Sequence, residues 1–458
     1  MRSSRPILCV DFGSTYTKAA LVDVRTGTLV ATADNPTTMG TDLMAALDAV
    51  RQHLAAETGA EPDWDVRGCS SAGGGLRIAV VGNEELVTSE AGRRVALSSG
   101  GRVVHVASGS LTGQAVEQLR AAGADVVLLV GGTDGGNTRV LVANARALAH
   151  AGLGVPVVAA GNAACADQVS AVLADAGIPY ALAGNVLPEI GVLRPEPARA
   201  AIRETFVRHV IGGKQLSRRE EFGRIVRGAT PDLVLAGVEV LGRTYAPDGV
   251  VVVDVGGATT DVHSLVEPDP EDAGPRREVV GSLPLSRTVE GDLGLRSNAS
   301  AIVAAAVESG LLTTGDAAEL GSAVARRVAE PGYLATTAEE LRVDEILASY
   351  AVTLALRRHA GAARVVTTPA GRVVEQTGKD LRRVALVVGS GGLLRHGGPA
   401  LAARVLEAGL ADRQAGGWML PDRPKVALDQ SYVLAAVGLL AEDHPEAAAR
   451  LAGRIVAA

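Results

Sequence analysis

Asp11-Phe-Gly-Ser-Thr-Tyr-Thr-Lys18 and Asp254-Val-Gly-Gly-Ala-Thr-Thr-Asp261 are the two stretches whose reading decides the fold. Each follows a short apolar run, Ile7–Val10 in the first and Val250–Val253 in the second, and each leads directly into another such run. The pattern in both is strand, aspartate, glycine, small and hydroxyl residues, strand, which predicts a tight β-hairpin. Beyond the first hairpin, Ala19–Val24 reaches a turn at Arg25-Thr-Gly-Thr28, so the chain continues as a meander. One such hairpin in each half of the chain is an imperfect internal repeat, and it predicts two related half-molecules facing a cleft. Clefts between domains are the usual place for a ligand.

The residue types suit a phosphate chain. Gly13, Gly256 and Gly257 lack the Cβ atoms that would keep backbone N–H groups away from an anion. Ser14, Thr15, Thr17, Thr259 and Thr260 offer hydroxyl donors, and Ala258 completes the small-residue cluster. Lys18 offers a positive charge, unless it faces solvent from the next strand. The carboxylates of Asp11 and Asp254 repel phosphate oxygens, but they suit Mg²⁺ held through its water shell. Asp261 is placed either to do the same or to orient an attacking water. A plain hairpin is the competing reading for either stretch alone. The repeat weighs against it, as does a third glycine-rich turn, Gly389-Ser-Gly-Gly392, after the apolar run Val384–Val388.

Between the hairpins the pattern changes. A helical face of Leu43, Ala46, Leu47, Val50 and Leu54 occupies the stretch from Thr41 to Ala56. From Leu86 to Leu187, apolar runs at Val103–Val106, Val126–Val130, Val155–Ala160 and Tyr180–Ala183 alternate with helical segments, which predicts an inserted parallel α/β unit. Pro188–Thr230 is charged and predicted to be a helical bridge. After the second hairpin come a Pro/Asp-rich loop at Glu267–Arg277, helical patterns at Ala299–Ser309, Ala317–Val328 and Asp344–His359, and a helix from about Asp429. The predicted organisation is 1–85 for the start of a first lobe, 86–187 for the insertion, 188–248 for the rest of the first lobe and 249–458 for a second lobe. The fold class is α/β.

Composition narrows the function. The 458 residues are 47% apolar, 21% charged and only 2% aromatic, so the core is built from small aliphatic side chains of a globular protein. The net charge of −7 comes without long single-sign runs, which speaks against nucleic acid as a partner. The apolar run before Asp11 is too short for a signal peptide, and no run reaches the roughly 18 residues of a membrane span, so a cytoplasmic protein is expected. Cys9, Cys69 and Cys165 stand alone and predict neither a disulfide framework nor a metal cluster. A P-loop is absent, since Gly213-Lys214 is followed by Gln and Gly378-Lys379 by Asp. Asp261-Val-His263 opens an Asp-x-His-x-x-Gly pattern, but Val266 stands where glycine is required, so cobalt ligation by this chain is not expected.

The order of motifs resembles the signature of the actin/Hsp70/sugar-kinase superfamily (ASKHA). Asp11–Lys18 is similar to its first phosphate motif and Asp254–Asp261 to its second. Pro231–Gly242 resembles its first connecting helix, Leu386–Leu394 its adenosine motif, and Asp429–Gly438 its second connecting helix. Within that superfamily the glutamate mutase accessory (MutL-type) family is the nearest likeness, carried by Gly68–Gly75, Gly131-Gly-Thr-Asp-Gly-Gly-Asn137 and Arg287-Thr-Val-Glu-Gly-Asp-Leu-Gly-Leu-Arg296.

The resemblance implies an actin-like ATPase fold of duplicated, ribonuclease H-like domains, with ATP and Mg²⁺ in the cleft and the adenosine near Gly389, Ser390, Gly391 and Gly392. It implies that Glu239 sits near the hydrolytic water, against the alternative of a polar residue on a half-exposed helix. It further implies an ATP-driven chaperone or reactivating factor for an adenosylcobalamin-dependent mutase, with a homodimer left open. The residues themselves say less. Glu290, Asp292 and Arg296 either line the nucleotide cleft or form a structural ion-pair cluster. Gly131–Asn137 follows a buried strand and precedes a helix, where an open parallel sheet takes a ligand or a plain turn suffices. A small-molecule kinase, a reductive activase and an actin-like filament protein are the competing functions on this fold.

Overall fold

The computed structural model describes residues 5–38, 41–61, 63–72, 75–211, 216–217, 219–267, 283–368, 371–412 and 417–457. The predicted loop Glu267–Arg277 lies, beyond its first residue, outside the described residues, as does Gly213-Lys214. The chain divides into two units. The first holds the residues up to Gly237 together with Val433–Leu451, and most of the rest forms the second. The C-terminal helical segment therefore belongs largely to the first unit and not, as expected, to the second lobe.

The first unit is built on the predicted meander. Strands β1 (Ile7–Phe12), β2 (Tyr16–Asp23) and β3 (Thr28–Pro36) form a meander in which each is antiparallel to the next, while β4 (Asp65–Ser70) lies parallel to β1. With β10 (Val226–Ala229) on its far side, the sheet has the order β10-β4-β1-β2-β3. Every residue of β1 is buried, as a central strand covered on both faces must be. The helix Leu43–Thr58 packs the predicted apolar residues against this sheet. Asp42 caps its start by accepting from the Met44 amide, and Gly59 ends it.

The same unit carries a second sheet. Its strands are β5 (Leu76–Gly82), β6 (Gly101–Ser108), β7 (Val126–Leu129), β8 (Val157–Ala159) and β9 (Tyr180–Leu182), all parallel, in the order β6-β5-β7-β8-β9. This is the predicted α/β insertion with one strand more. Its first strand in the chain, β5, lies between β6 and β7 and begins at Leu76, ahead of the expected boundary near 86. Between the insertion and the connecting helix, the charged stretch holds the helices Glu196–Thr205 and Glu220–Ile225 and then β10, a strand the charge pattern concealed.

The second unit repeats the first sheet. β11 (Val250–Val255), β12 (Thr260–Leu265) and β13 (Leu285–Glu290) form an antiparallel meander, and β16 (Leu386–Ser390) runs parallel to β11. With β17 (Lys425–Leu428) parallel to β16, the order is β13-β12-β11-β16-β17. Read from the end of the meander, both sheets are therefore third, second and first strand, then two parallel strands. This duplicated order and direction is the ribonuclease H-like arrangement of the actin-type fold. Val250–Val253 are completely buried. Valine's stiff χ1 and branched Cβ suit such a strand, and they fill the core without aromatic rings. The long helix Ala338–His359, started by a capping box between Thr337 and Glu340, packs on this sheet. A two-stranded hairpin, β14 (Ala362–Thr368) and β15 (Gly371–Thr377), was not foreseen. Among the described residues no helix is long and apolar enough to cross a membrane.

Candidate functional site: two equivalent hairpins

In the first hairpin Asp11 is opposite Lys18 on β2 and beside Cys69 on β4. Lys18 also faces Asp34 on β3, so it stands between two carboxylates of its own sheet. The turn is closed by the Gly13 amide, which donates to the Tyr16 carbonyl at 3.2 Å. A Cβ on Gly13 would lie 2.6 Å from that carbonyl oxygen, so the turn requires glycine. Thr37 braces the hairpin from β3's end: its hydroxyl donates to the Gly13 carbonyl at 2.9 Å and its amide to the Thr15 carbonyl at 2.9 Å. Thr17 is fully buried with its hydroxyl 3.2 Å from that of Thr37, so it helps hold the hairpin in shape. Ser14 and Thr15 are exposed at the tip.

The second hairpin matches it residue by residue. Asp254 is opposite Asp261 on β12 and beside Ser390 on β16, the places of Lys18 and Cys69. The Gly256 amide donates to the Thr259 carbonyl at 2.9 Å, and a Cβ on Gly256 would lie 2.8 Å from that oxygen. Thr260, like Thr17, is fully buried, and its hydroxyl donates to the Leu293 carbonyl at 2.7 Å. The carbonyls of this turn are also taken. Leu295 N–H donates to Gly256, Arg296 N–H to Gly257, and the Asn298 side-chain amide to Ala258. Among the described residues the amides of Ser14, Thr15, Gly257 and Ala258 meet no acceptor. Both turns thus present N–H groups with their carbonyls bonded inward, a geometry that favours an anion.

Charge differs between the two. On β13, Arg287 donates through Nη2 to Asp261 at 3.2 Å, and the guanidinium is buried. His263, opposite Arg287, is 2% exposed, and neither ring nitrogen has a partner among the described residues. Burial, and then the neighbouring Arg287 charge, push its pKa well below the ordinary histidine range, so the ring is neutral. Glu290 and Asp292 form one ion-pair cluster with Arg358, whose Nη1 lies 2.7 Å from Glu290 and 2.6 Å from Asp292. Burial raises the Glu290 pKa against the pull of Arg358, whereas its hydrogen bonds from Arg358 lower that of the more open Asp292. Arg296 turns away from this cluster. It makes a two-pronged pair with Asp344 at 3.0 and 2.8 Å, and Arg327 reaches the same carboxylate at 2.6 Å. The Arg287–Arg296 stretch therefore serves the hairpin in two ways: its main chain binds the turn's carbonyls, and its charged ends are anchored on Asp261 and Asp344.

The third glycine-rich turn follows β16. Gly391 has φ +102°, and a Cβ there would lie 2.2 Å from the Val255 carbonyl oxygen, so the turn lies against the end of β11. Ser390 is buried, and Gly392, with open space around it, begins the short helix Gly392–His396. The Gly389 carbonyl accepts from the Asp429 amide at 2.9 Å. Glu239, halfway along the helix Thr230–Tyr245, makes a pair with Arg243 at 3.0 Å one turn on. Gly131–Asn137 forms a braced turn at the C-terminal edge of the inserted sheet. Asp134 accepts from the Ala163 amide and from the Asn185 side chain, both at 2.9 Å, and Asn162 accepts from the Gly135 amide at 3.2 Å. In the Gly68–Gly75 segment, Ser71 N–H donates to the Phe12 carbonyl at 3.1 Å, which ties it to the first hairpin; Gly73 and Gly74 lie outside the described residues.

The model of the family described as MutL protein matches residues 7–456. Protein MutL of Clostridium tetanomorphum is 37% identical over 452 residues, which is 97% of this chain and 97% of that protein. The chain belongs to the MutL family. Likenesses to solved structures are weak. A nucleotide-free acetone carboxylase has a TM-score of 0.38 at 14% identity, covering 95% of this chain and 70% of that one. The activator of 2-hydroxyisocaproyl-CoA dehydratase from Clostridium difficile, solved with ADPNP, has 0.32 at 10% identity, covering 96% and 95%. A ROK hexokinase from Thermus thermophilus has 0.28 at 10% identity, covering 95% and 96%. Scores this low add nothing to the strand order, on which the fold of this MutL-family chain rests.

Three residues that matter to the hairpins were missed in the sequence: Thr37, Thr230 and Asp344. Each acts across a long sequence separation on a motif residue, and no local pattern marks it.

Proposed function

We propose that this MutL-family protein binds Mg·ATP through its two hairpins and acts as an ATP-dependent accessory or reactivating chaperone for an adenosylcobalamin-dependent mutase of the glutamate mutase type. The observation that carries the nucleotide reading is the residue-by-residue equivalence of the hairpins, each with a terminal aspartate, an obligate glycine and outward amides without acceptors. Membership of the MutL family supports the mutase partner.

In this reading the amides of Ser14, Thr15, Gly257 and Ala258 donate to phosphate oxygens, with the Ser14, Thr15 and Thr259 hydroxyls at hand. Asp11 and Asp254 hold hydrated Mg²⁺, which when bound offsets phosphate charge. Asp261, fixed by Arg287, is placed to orient the attacking water. Glu239 serves near that water once it exchanges Arg243 for it. Ser390, Gly391 and Gly392 lie beside the adenosine. Lys18 offsets Asp11 and Asp34, and Glu290 bounds the site through Arg358. ATP binding and hydrolysis would change the grip on the partner, as nucleotide-driven closure does generally, and the inserted parallel sheet is the part offered to the mutase. The protein would work in the cytoplasm beside that enzyme.

The test mixes the purified protein with an inactivated mutase of this type, Mg·ATP and fresh adenosylcobalamin. Recovery of mutase activity is expected with the wild type and is expected to be lost with Asp11→Asn and Asp254→Asn. No recovery and no physical association would reject the accessory role. ATP turnover that requires a small-molecule acceptor would favour a kinase.

A further inference from the structure

Asp11 is tied to the first residue of a helix. The Thr230 hydroxyl donates to Asp11 Oδ1 at 2.5 Å, and the Cys69 thiol lies 3.7 Å from the same oxygen. Thr230 is 7% exposed and Asp11 6%. A buried hydroxyl-to-carboxylate bond this short belongs to the stronger class of hydrogen bonds.

The strand order makes the contact. β10 lies beside β4 with Ala229 opposite Ser70, and β4 lies beside β1 with Cys69 opposite Asp11. The residue after Ala229 is thereby brought to the end of β1. A threonine at a helix start usually turns its oxygen back to cap the helix's own amides. Here the hydroxyl proton goes to another strand, and the helix start is secured by other means. Pro231 occupies its first turn, and the buried Asp232 is held by Arg203 at 2.5 Å, with Arg199 3.6 Å away. The helix start therefore has supports besides the Thr230–Asp11 bond, and that bond is free to orient the carboxylate while linking it to the helix's first turn.

We propose that Thr230 is a positioning residue for the nucleotide site: it fixes the orientation of the Asp11 carboxylate and couples cation occupancy at Asp11 to the first turns of the helix Thr230–Tyr245. This rests on the reading of Asp11 as a holder of hydrated Mg²⁺. A hydrated cation at Asp11 and the Thr230 hydroxyl share one carboxylate, and the hydroxyl holds that carboxylate in a fixed orientation, so the two events cannot be independent. No motif reading selects Thr230, because the recognisable helix begins one residue later.

The experiment compares the full chain with Thr230→Val, which keeps the shape and loses the donor, and Thr230→Ser, which keeps the donor. Calorimetry measures binding of a non-hydrolysable ATP analogue as Mg²⁺ is raised, and hydrogen exchange reads the amides of residues 232–237 with and without the complex. Expected for Thr230→Val is about a tenfold rise in the Mg²⁺ needed for half-saturation, the scale on which outer-shell partners act. Metal-free nucleotide affinity should be unchanged, and the ligand-dependent exchange difference should disappear. Thr230→Ser should behave as wild type on both readouts. A Thr230→Val protein with wild-type Mg²⁺ dependence and exchange overturns the inference, and so does a Thr230→Ser protein that fails alike, since packing would then be the cause. If the wild type shows no Mg²⁺-dependent nucleotide binding, the nucleotide reading itself falls.

Discussion

Gly237 and Gly438 bring two helices into backbone contact. A Cβ on Gly438 would lie 1.8 Å from the Leu233 carbonyl oxygen, and one on Gly237 would lie 2.2 Å from the Leu434 carbonyl oxygen. These are the helices Thr230–Tyr245 and Leu434–Leu440, the two segments whose sequences resemble the connecting helices of the superfamily. Nothing larger than hydrogen fits at either crossing point. Gly438→Ala is therefore expected to force the helices apart at a cost of about 1–3 kcal/mol, the usual range for overpacking. Gly223→Ala is the control, because a Cβ at that helical glycine meets nothing within 4 Å. It should be neutral or stabilising by up to about 1 kcal/mol. Denaturation midpoints of the two variants against wild type check both expectations.

Asp344 carries two guanidinium groups. It pairs with Arg296 and Arg327, and its side chain and that of Arg327 are almost wholly buried. Removing the carboxylate strands the buried Arg327 and takes the paired anion from the half-buried Arg296; for breaking a buried pair a cost of about 3–5 kcal/mol is typical. Asp344→Ala should therefore lower the melting temperature sharply. Asp344→Asn should do so less, because it keeps a hydrogen-bond acceptor. The Arg296 and Leu295 amides bond the carbonyls of Gly257 and Gly256, so loss of this anchor should also loosen the second hairpin. Below its melting transition, Asp344→Asn is expected to bind an ATP analogue more weakly than wild type, measured by calorimetry. Unchanged affinity would mean that the turn keeps its shape without Arg296.

Much of this was legible because it is local. Strand–Asp–Gly–hydroxyl–strand writes a hairpin within a dozen residues, and each hairpin formed where its residues predict. The helical face at Leu43, Ala46, Leu47, Val50 and Leu54 is buried as its period requires. What escaped is what sequence separation hides. β4, β5, β10 and β17 are short strands whose place is set by parallel partners far away in the chain, and a short apolar run looks alike in a strand and in a buried turn. Thr17 and Thr260 were expected among the ligand-facing hydroxyls, yet both are fully buried at the starts of β2 and β12, with their hydroxyls bonded to Thr37 and to the Leu293 carbonyl. Glu290, Asp292 and Arg296 fall into two ion-pair clusters, because Arg296 reaches Asp344 while Arg358 holds the other two, and no local pattern in the sequence separates them.

His263 bears on the response to acid. Burial lowers its pKa well below the ordinary value, and that of His359, hydrogen-bonded to Thr288 and Ser264, is lowered as well. A base whose folded pKa is depressed binds fewer protons folded than unfolded at any pH below its unfolded value of about 6.5. The stability contributed is complete above that pH and is lost as the pH falls below it. His263→Leu should flatten this acid-side slope. It also removes two buried nitrogens that lack partners, so it should leave stability at neutral pH unchanged or raise it by about 1 kcal/mol. Denaturant midpoints between pH 5 and 8, a range of about 3 units spanning the unfolded pKa, check both. A variant with the wild-type slope would show that His263 takes up its proton in the folded protein as readily as in the unfolded chain.

The equivalence of the two hairpins can be tested by giving each the same methyl group. In Gly13→Ala the new Cβ meets the Tyr16 carbonyl oxygen, and in Gly256→Ala it meets that of Thr259, so each turn must widen and give up its closing hydrogen bond. Widening turns the amides of Ser14 and Thr15, or of Gly257 and Ala258, away from a common focus. Hydrogen bonds to a charged group contribute about 1.5–3 kcal/mol each, so either substitution should weaken binding of an ATP analogue by about tenfold or more. The folded state should survive both, because the turns lie at the exposed ends of strands whose cores are untouched. If both hairpins hold phosphate, the losses should be similar and should appear in the same calorimetric titration. If Gly13→Ala leaves affinity intact while Gly256→Ala abolishes it, the first hairpin is a structural echo of the second, and the negative charge of Asp254 and Asp261 alone draws the cation.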